Sequence, residues 1–239
     1  MNIANKLEII TESIERARTA SPVGAGSVTV LAASKTQPMA VIEEAIMAKV
    51  TCFGENRVQE SQEKWPELRN KHPYVKLHLI GALQTNKVKQ ALELFDVIQT
   101  LDRVALAEAL CAEIKKSSLE LGVLSAEEEK NKTQNSKLKT QHFYIQVNTG
   151  KEEQKAGVFP EKADEFIAFC RKLELPVVGL MCVPPVDQPP APHFALLREI
   201  ALRNNLSELS MGMSDDFEVA VRMGSTCVRL GTALFGERK

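Results

Sequence analysis

The sequence predicts an α/β fold, a single (β/α)8 TIM barrel with an additional N-terminal helix, on three observations. Its 239 residues suit one barrel-sized domain spanning 1–239. Apolar strand-like runs alternate with helical stretches eight times along the chain. Polar, glycine or methionine residues recur where those runs end, at Lys35, Asn56, Gly81, Asn148, Met181, Ser210 and Arg229. An open doubly wound sheet gathers its ligand groups at one switch point, whereas a barrel brings every strand end to one mouth.

The elements follow in order. Residues 1–20, MNIANKLEIITESIERARTA, form an amphipathic helix whose acids exclude a secretory signal. Val28 to Ser34 is the first strand, and Pro38 marks the approach to a helix from about Met39 to Ala48. The second strand, Thr51 to Gly54, leads into a helix over Val58 to Leu68. Lys76 to Gly81 is the third, with a helix from about Asn86 to Leu94. Asp96 to Gln99 is the fourth, and Asp102 caps the helix that runs through Leu110 and Ile114. Residues 117–140 are too polar to bury much surface, so a mobile insert is expected there, with a short helix capped by Ser125 and Glu128. His142 to Asn148 is the fifth strand; Pro160 opens a helix ending near Arg171. Val177 to Met181 is the sixth, and a proline-rich loop from Pro184 to Pro192 delays the next helix until about His193. Leu206 to Met211 and Thr226 to Leu230 are the seventh and eighth, with Ser214 capping the helix between them.

Composition narrows the function. Thirty basic side chains against 31 acidic ones give a formal charge of −1, which argues against general nucleic-acid binding. The five cysteines form no CxxC pair, so neither a disulfide framework nor a zinc knuckle is expected, and a cytoplasmic location fits. No run of 18 apolar residues is present to span a membrane.

Two segments carry chemistry. Lys35 stands at the exit of the apolar run VTVLAAS, where barrel enzymes collect reactive groups. Alone it reads as a solvated turn lysine; at a barrel mouth it reads as an amine able to hold an aldehyde as a Schiff base. The closing cluster supplies a phosphate site after strands seven and eight, with Ser210, Gly212 and Ser214 in SMGMS and Gly231 and Thr232 in RLGTALFG. Arg229 is the charged group beside it. His78, between Leu77 and Leu79, reads as a satisfied interior histidine.

Quoted in order, LAASKTQP around Lys35, CFGENRVQE from Cys52, HLIGALQTNK from His78, QVNTGKEEQKAG from Gln146, VVGLMCVPP from Val177 and the run from Glu208 to Arg238 resemble the pyridoxal phosphate homeostasis proteins, relatives of the alanine racemase N-terminal barrel. The resemblance implies pyridoxal 5'-phosphate bound covalently to Lys35 as an aldimine, Asn56 beside the cofactor, Ser210, Gly231 and Thr232 on its phosphate, and Arg229 toward the pyridine nitrogen. It also implies vitamin B6 homeostasis by buffering or delivery, no robust catalytic activity, no metal, a monomer, and transient apo-enzyme acceptors as partners. Arg57 stands where the family usually has tyrosine, and Thr85 where it has serine. The alternative is an amino-acid racemase or related enzyme. That reaction needs a second acid/base, and alanine racemase takes its tyrosine from a further domain for which the chain leaves no length.

Overall fold

The structure, a computed structural model, describes residues 2–24, 26–124 and 141–237, with 118–124 described by backbone alone. Strands β1 Thr29–Ala33, β2 Cys52–Glu55, β3 Lys76–Leu79, β4 Val97–Leu101, β5 His142–Gln146, β6 Val177–Met181, β7 Glu208–Ser210 and β8 Cys227–Leu230 close in sequence order into one parallel barrel. The seam pairs β1 with β8, from Thr29 opposite Cys227 to Ala32 opposite Leu230.

Strand alternation explains the two cores. Ala32, Phe53, Leu77, Leu79, Ile98 and Val228 point outward into the main apolar layer under the helices. Their neighbours point inward, where Leu31, Cys52 and Cys227 form one small cluster and Val97, Tyr144 and Met181 another. Between them lies a polar chain. Ser210 Oγ donates to Gln99 Oε1 at 2.6 Å, Gln99 Nε2 meets His78 Nδ1 at 2.9 Å, and His78 Nε2 meets Cys52 Sγ at 3.3 Å.

Helices α1 Ile3–Thr19, α2 Met39–Met47, α3 Val58–Lys71, α4 Val88–Leu94, α5 Val104–Leu124, α6 Ala163–Lys172, α7 Pro190–Arg203, α8 Phe217–Arg222 and α9 Thr232–Phe235 surround the barrel. The extra helix α1 is capped by Asn2, whose Oδ1 accepts from the Asn5 N–H at 2.9 Å, and it packs against α8 and α9 through its Ile3, Ile10 and Ile14 stripe.

Several expectations are corrected. Helix α5 continues to Leu124, so residues 117–124 are helical and not loop; residues 125–140, with Ser125 and Glu128, lie outside the described residues. Helix α7 begins at Pro190, three residues before His193, because prolines at the first turn lack only an N–H that the helix leaves unpaired anyway. The α5 turn returns its first bonds to the Arg103 carbonyl, so Arg103 and not Asp102 holds the cap position. Before α8 that position belongs to Asp216, whose Oδ1 accepts from the Met213 N–H at 2.6 Å, and not to Ser214. Helix α9 was not expected at all.

Candidate functional site

Lys35 lies two residues beyond the end of β1. The Ser34 N–H still pairs with the Gly54 carbonyl at 2.9 Å, and the chain then turns, with Gln37 N–H returning to the Ser34 carbonyl at 3.0 Å. Lys35 opens onto a cavity of about 210 Å³, lined by Ala33, Lys35, Gln37, Met213, Ser214, Asp215, Arg229, Gly231, Thr232 and Gly236. That volume lies below the roughly 300–1,000 Å³ of enclosed drug-sized pockets, so the site suits a compact ligand partly open to solvent.

Arg229 comes up from inside the barrel wall. It is 5 % exposed, and three neutral acceptors hold its guanidinium. Nη1 donates to the Ser210 carbonyl at 2.7 Å and to Ser210 Oγ at 2.8 Å, while Nη2 donates to the Cys182 carbonyl at 2.8 Å. Burial pulls its pKa below the ordinary arginine value, with weaker opposing pulls from Cys182, Cys227 and Asp216.

The polar chain below Arg229 has one direction. An amide nitrogen only donates, so Gln99 makes His78 Nδ1 an acceptor and leaves the imidazole proton on Nε2, toward Cys52 Sγ. Burial accordingly pulls the His78 pKa down to about 3, helped by Lys76 and His142. Burial also pushes the Cys182 thiol up to about 12, so neither group offers a reactive ion.

On the far side of the cavity, the loop after β7 needs Gly212. Its φ is +96°, and a Cβ there would come within 2.5 Å of Ala220 Cβ. The tight path lets Ser214 reach α9, where its Oγ accepts from the Ala233 N–H at 3.1 Å.

Of the residues singled out in the sequence, Lys35, Ser214, Arg229, Gly231 and Thr232 meet in the cavity. Ser210 does not line it: fully buried, it sits beneath, bonded to Arg229 and Gln99. Asn56 is half-buried at the β2 exit and is not part of the lining either; Gly81 packs against its backbone so closely that a Cβ would lie 2.2 Å from Asn56 O. Sequence reasoning missed Gln37, Met213, Asp215 and Gly236 in the lining, and Gln99 beneath it. A polar glutamine inside the apolar run VIQTL was the available signal for the last.

The donor set is an amine, a guanidinium, two hydroxyls at Ser214 and Thr232, and a glycine turn. It fits a small anionic carbonyl compound such as a phosphorylated aldehyde. A tyrosine acid/base is missing from the cavity, since Tyr74 is 56 % exposed elsewhere and Tyr144 is buried in the barrel interior, where burial raises its pKa. Among the described residues no cluster of His, Cys, Asp or Glu could hold a metal, and no helix is long and apolar enough to cross a membrane.

Comparison with known proteins shows the family and the fold. Residues 7–239 match the family described as alanine racemase, N-terminal domain. The chain is 39 % identical to the pyridoxal phosphate homeostasis protein of Aquifex aeolicus, covering all of both chains, and 34 % identical to that of Haemophilus influenzae, covering 100 % and 97 %. The structure of PipY from Synechococcus elongatus PCC7942 with PLP bound is 33 % identical, with a TM-score of 0.74 over 98 % of this chain and all of that one. Alanine racemase of Clostridium difficile, 14 % identical, shares the fold, with a TM-score of 0.67 over 98 % of this chain and 57 % of its own.

Proposed function

This chain belongs to the pyridoxal phosphate homeostasis protein family, and on that premise we propose that it binds pyridoxal 5'-phosphate and buffers or delivers it within the cytoplasm. The observation that carries the reading is one cavity that joins Lys35, Arg229, Gly231 and Thr232, with neither of the chain's two tyrosines in its lining.

When bound, the cofactor supplies an electrophilic aldehyde carbon and a ring that can act as an electron sink. Lys35 Nζ is the nucleophile for covalent attachment. Thr232, the Gly231 turn and Ser214 would receive the phosphate, while Ser210, buried beneath, would act on the ligand only by holding Arg229. Asn56, at the β2 exit and outside the lining, would flank the cofactor from the rim. Arg229 would be the residue toward the ring nitrogen and would keep its own proton, because a guanidinium does not deprotonate in proteins. Arg229 would therefore supply no proton to the ring, an arrangement that suits storage over carbanion chemistry. The racemase alternative lacks the tyrosine its two-base mechanism requires. The unit that does this is the whole chain as one domain and one monomer, handing the cofactor to apo-enzymes.

Borohydride reduction of the loaded protein followed by peptide mass mapping is expected to place the pyridoxyl label on Lys35. A label elsewhere overturns the assignment. Incubation with L-alanine in deuterated water is expected to give near-background α-hydrogen exchange; turnover in the range of ~1–1,000 per second would overturn the carrier reading.

A further inference from the structure

We propose that the ionic relay Glu55–Lys64–Glu60, behind β1, is a positioning device for Lys35 that grips the backbone on both sides of that lysine and holds its turn in a strained conformation. The proposal rests on the reading of Lys35 as the attachment point.

On the preceding side, Ser34 Oγ donates to Glu55 Oε1 at 2.7 Å, and the Ser34 carbonyl accepts from Lys64 Nζ at 3.3 Å. On the following side, the Thr36 N–H donates to Glu60 Oε1 at 2.8 Å. One ammonium ties the two grips together, since Lys64 Nζ lies 2.8 Å from Glu55 Oε1 and 3.3 Å from Glu60 Oε1. Trp65 Nε1 adds a bond to Glu55 Oε1 at 3.0 Å. Lys64 and Trp65 lie four and five residues beyond Glu60 on α3, so one face of a single helix supplies most of the grip.

Thr36 has φ of +67°. For a β-branched residue this left-handed conformation is a true outlier and persists only where the surroundings enforce it. Here the enforcing contact is the Glu60 carboxylate. Stability does not account for the cluster: the Glu55 and Lys64 side chains are 0 % and 10 % exposed, and Glu55 Oε2 is buried without a partner. Apolar side chains of the same volume would fill that space at least as well. What the ions do, and apolar groups could not, is hold polar backbone atoms of residues 34 and 36 while Lys35 itself borders the cavity.

Glu60 is the member to vary, because its side chain is 31 % exposed and its loss leaves the buried Glu55–Lys64 pair intact. In the full-length protein, Glu60→Ala is expected to speed hydrogen exchange of the Thr36 amide about tenfold without cofactor. It is also expected to weaken retention of pyridoxal 5'-phosphate about five- to tenfold, on the scale of one ordinary net hydrogen bond. Glu60→Gln keeps an acceptor oxygen and should recover most of both effects. Binding of pyridoxine 5'-phosphate, which has no aldehyde for Lys35, should not change. Thr36→Gly accepts φ above zero without being held, so Glu60→Ala should cost less in that background. Unchanged amide exchange in Glu60→Ala, additive effects with Thr36→Gly, or a parallel loss of pyridoxine 5'-phosphate binding would each overturn the proposal. A wild type that takes no label at Lys35 would overturn the functional reading and this role with it, yet leave the Thr36 amide protected, which tells the two failures apart.

Discussion

Lys35 and Arg229 enter one cavity from neighbouring strands on different foundations. Beneath the turn that carries Lys35 the supports are ions, with Glu55, Lys64 and Glu60 bonded to one another and to the backbone of Ser34 and Thr36. Beneath Arg229 the supports are neutral, a hydroxyl and two carbonyls, followed by an amide, an uncharged imidazole and a thiol. A carboxylate against the guanidinium would cancel the charge that an anionic ligand is to meet. Neutral acceptors fix its position and leave that charge directed at the cavity. The relay under Lys35 can be ionic because it spends its charges on one another and on main-chain atoms.

The contrast can be broken most severely at Lys64. Lys64→Met strands the buried Glu55 carboxylate, and urea denaturation at neutral pH should show a loss of about 3–5 kcal/mol. A loss below about 1 kcal/mol would mean that water screens the relay and the ionic half of the comparison fails. Acid separates the halves next. His78 has a folded pKa near 3, below its unfolded value of about 6.5, so its contribution is complete above pH 6.5 and is lost as pH falls toward 3. Between pH 6.5 and 4 that amounts to as much as ~1.4 kcal/mol per pH unit, and His78→Gln should lack this slope. A His78 imidazole signal, assigned by its loss in His78→Gln, that titrates near 6.5 in the folded protein would refute the neutral chain. The smallest change is Ser210→Ala, which removes one acceptor of Arg229 and should cost about 1–3 kcal/mol in stability. It should weaken pyridoxal and pyridoxal 5'-phosphate about equally, acting through Arg229, whereas Ser214→Ala should weaken only the phosphorylated form. A phosphate-selective loss in Ser210→Ala would return that hydroxyl to the phosphate.

Much of this architecture was legible. Strand and helix alternated clearly enough to count eight repeats, and Lys35, Gly231 and Thr232 stand just beyond strands, where the mouth must be. Ser210 shows where reading stops. It ends β7 as Lys35 follows β1, but strands in a barrel are staggered, so a strand's last residue has no fixed height. Its hydroxyl falls below the cavity while Ser214, four residues on, reaches it. Ser214 and Asp216 in MSDDF can both cap a helix, and only the path set by Gly212 decides between them. Residues 117–124 read as part of a polar insert, yet a helix already nucleated extends at one hydrogen bond per residue, and α5 runs to Leu124. The ion relay escaped because its members, from β2 and α3, look in sequence like an ordinary solvated charge pattern.

The seam between β1 and β8 has a kinetic consequence. Lys35 follows the first strand to be made, while Arg229, Gly231 and Thr232 arrive with the last, so the cavity spans the pairing of greatest sequence separation in the barrel. Closing that pairing carries the largest loop-closure entropy and belongs late in folding. A chain with an open seam has the amine but nothing to face it, and cannot retain a ligand that both sides must hold. Occupancy then reports that the barrel has closed. A ligand at a hundred times its Kd would pull the open-closed equilibrium toward closure by ~2.7 kcal/mol.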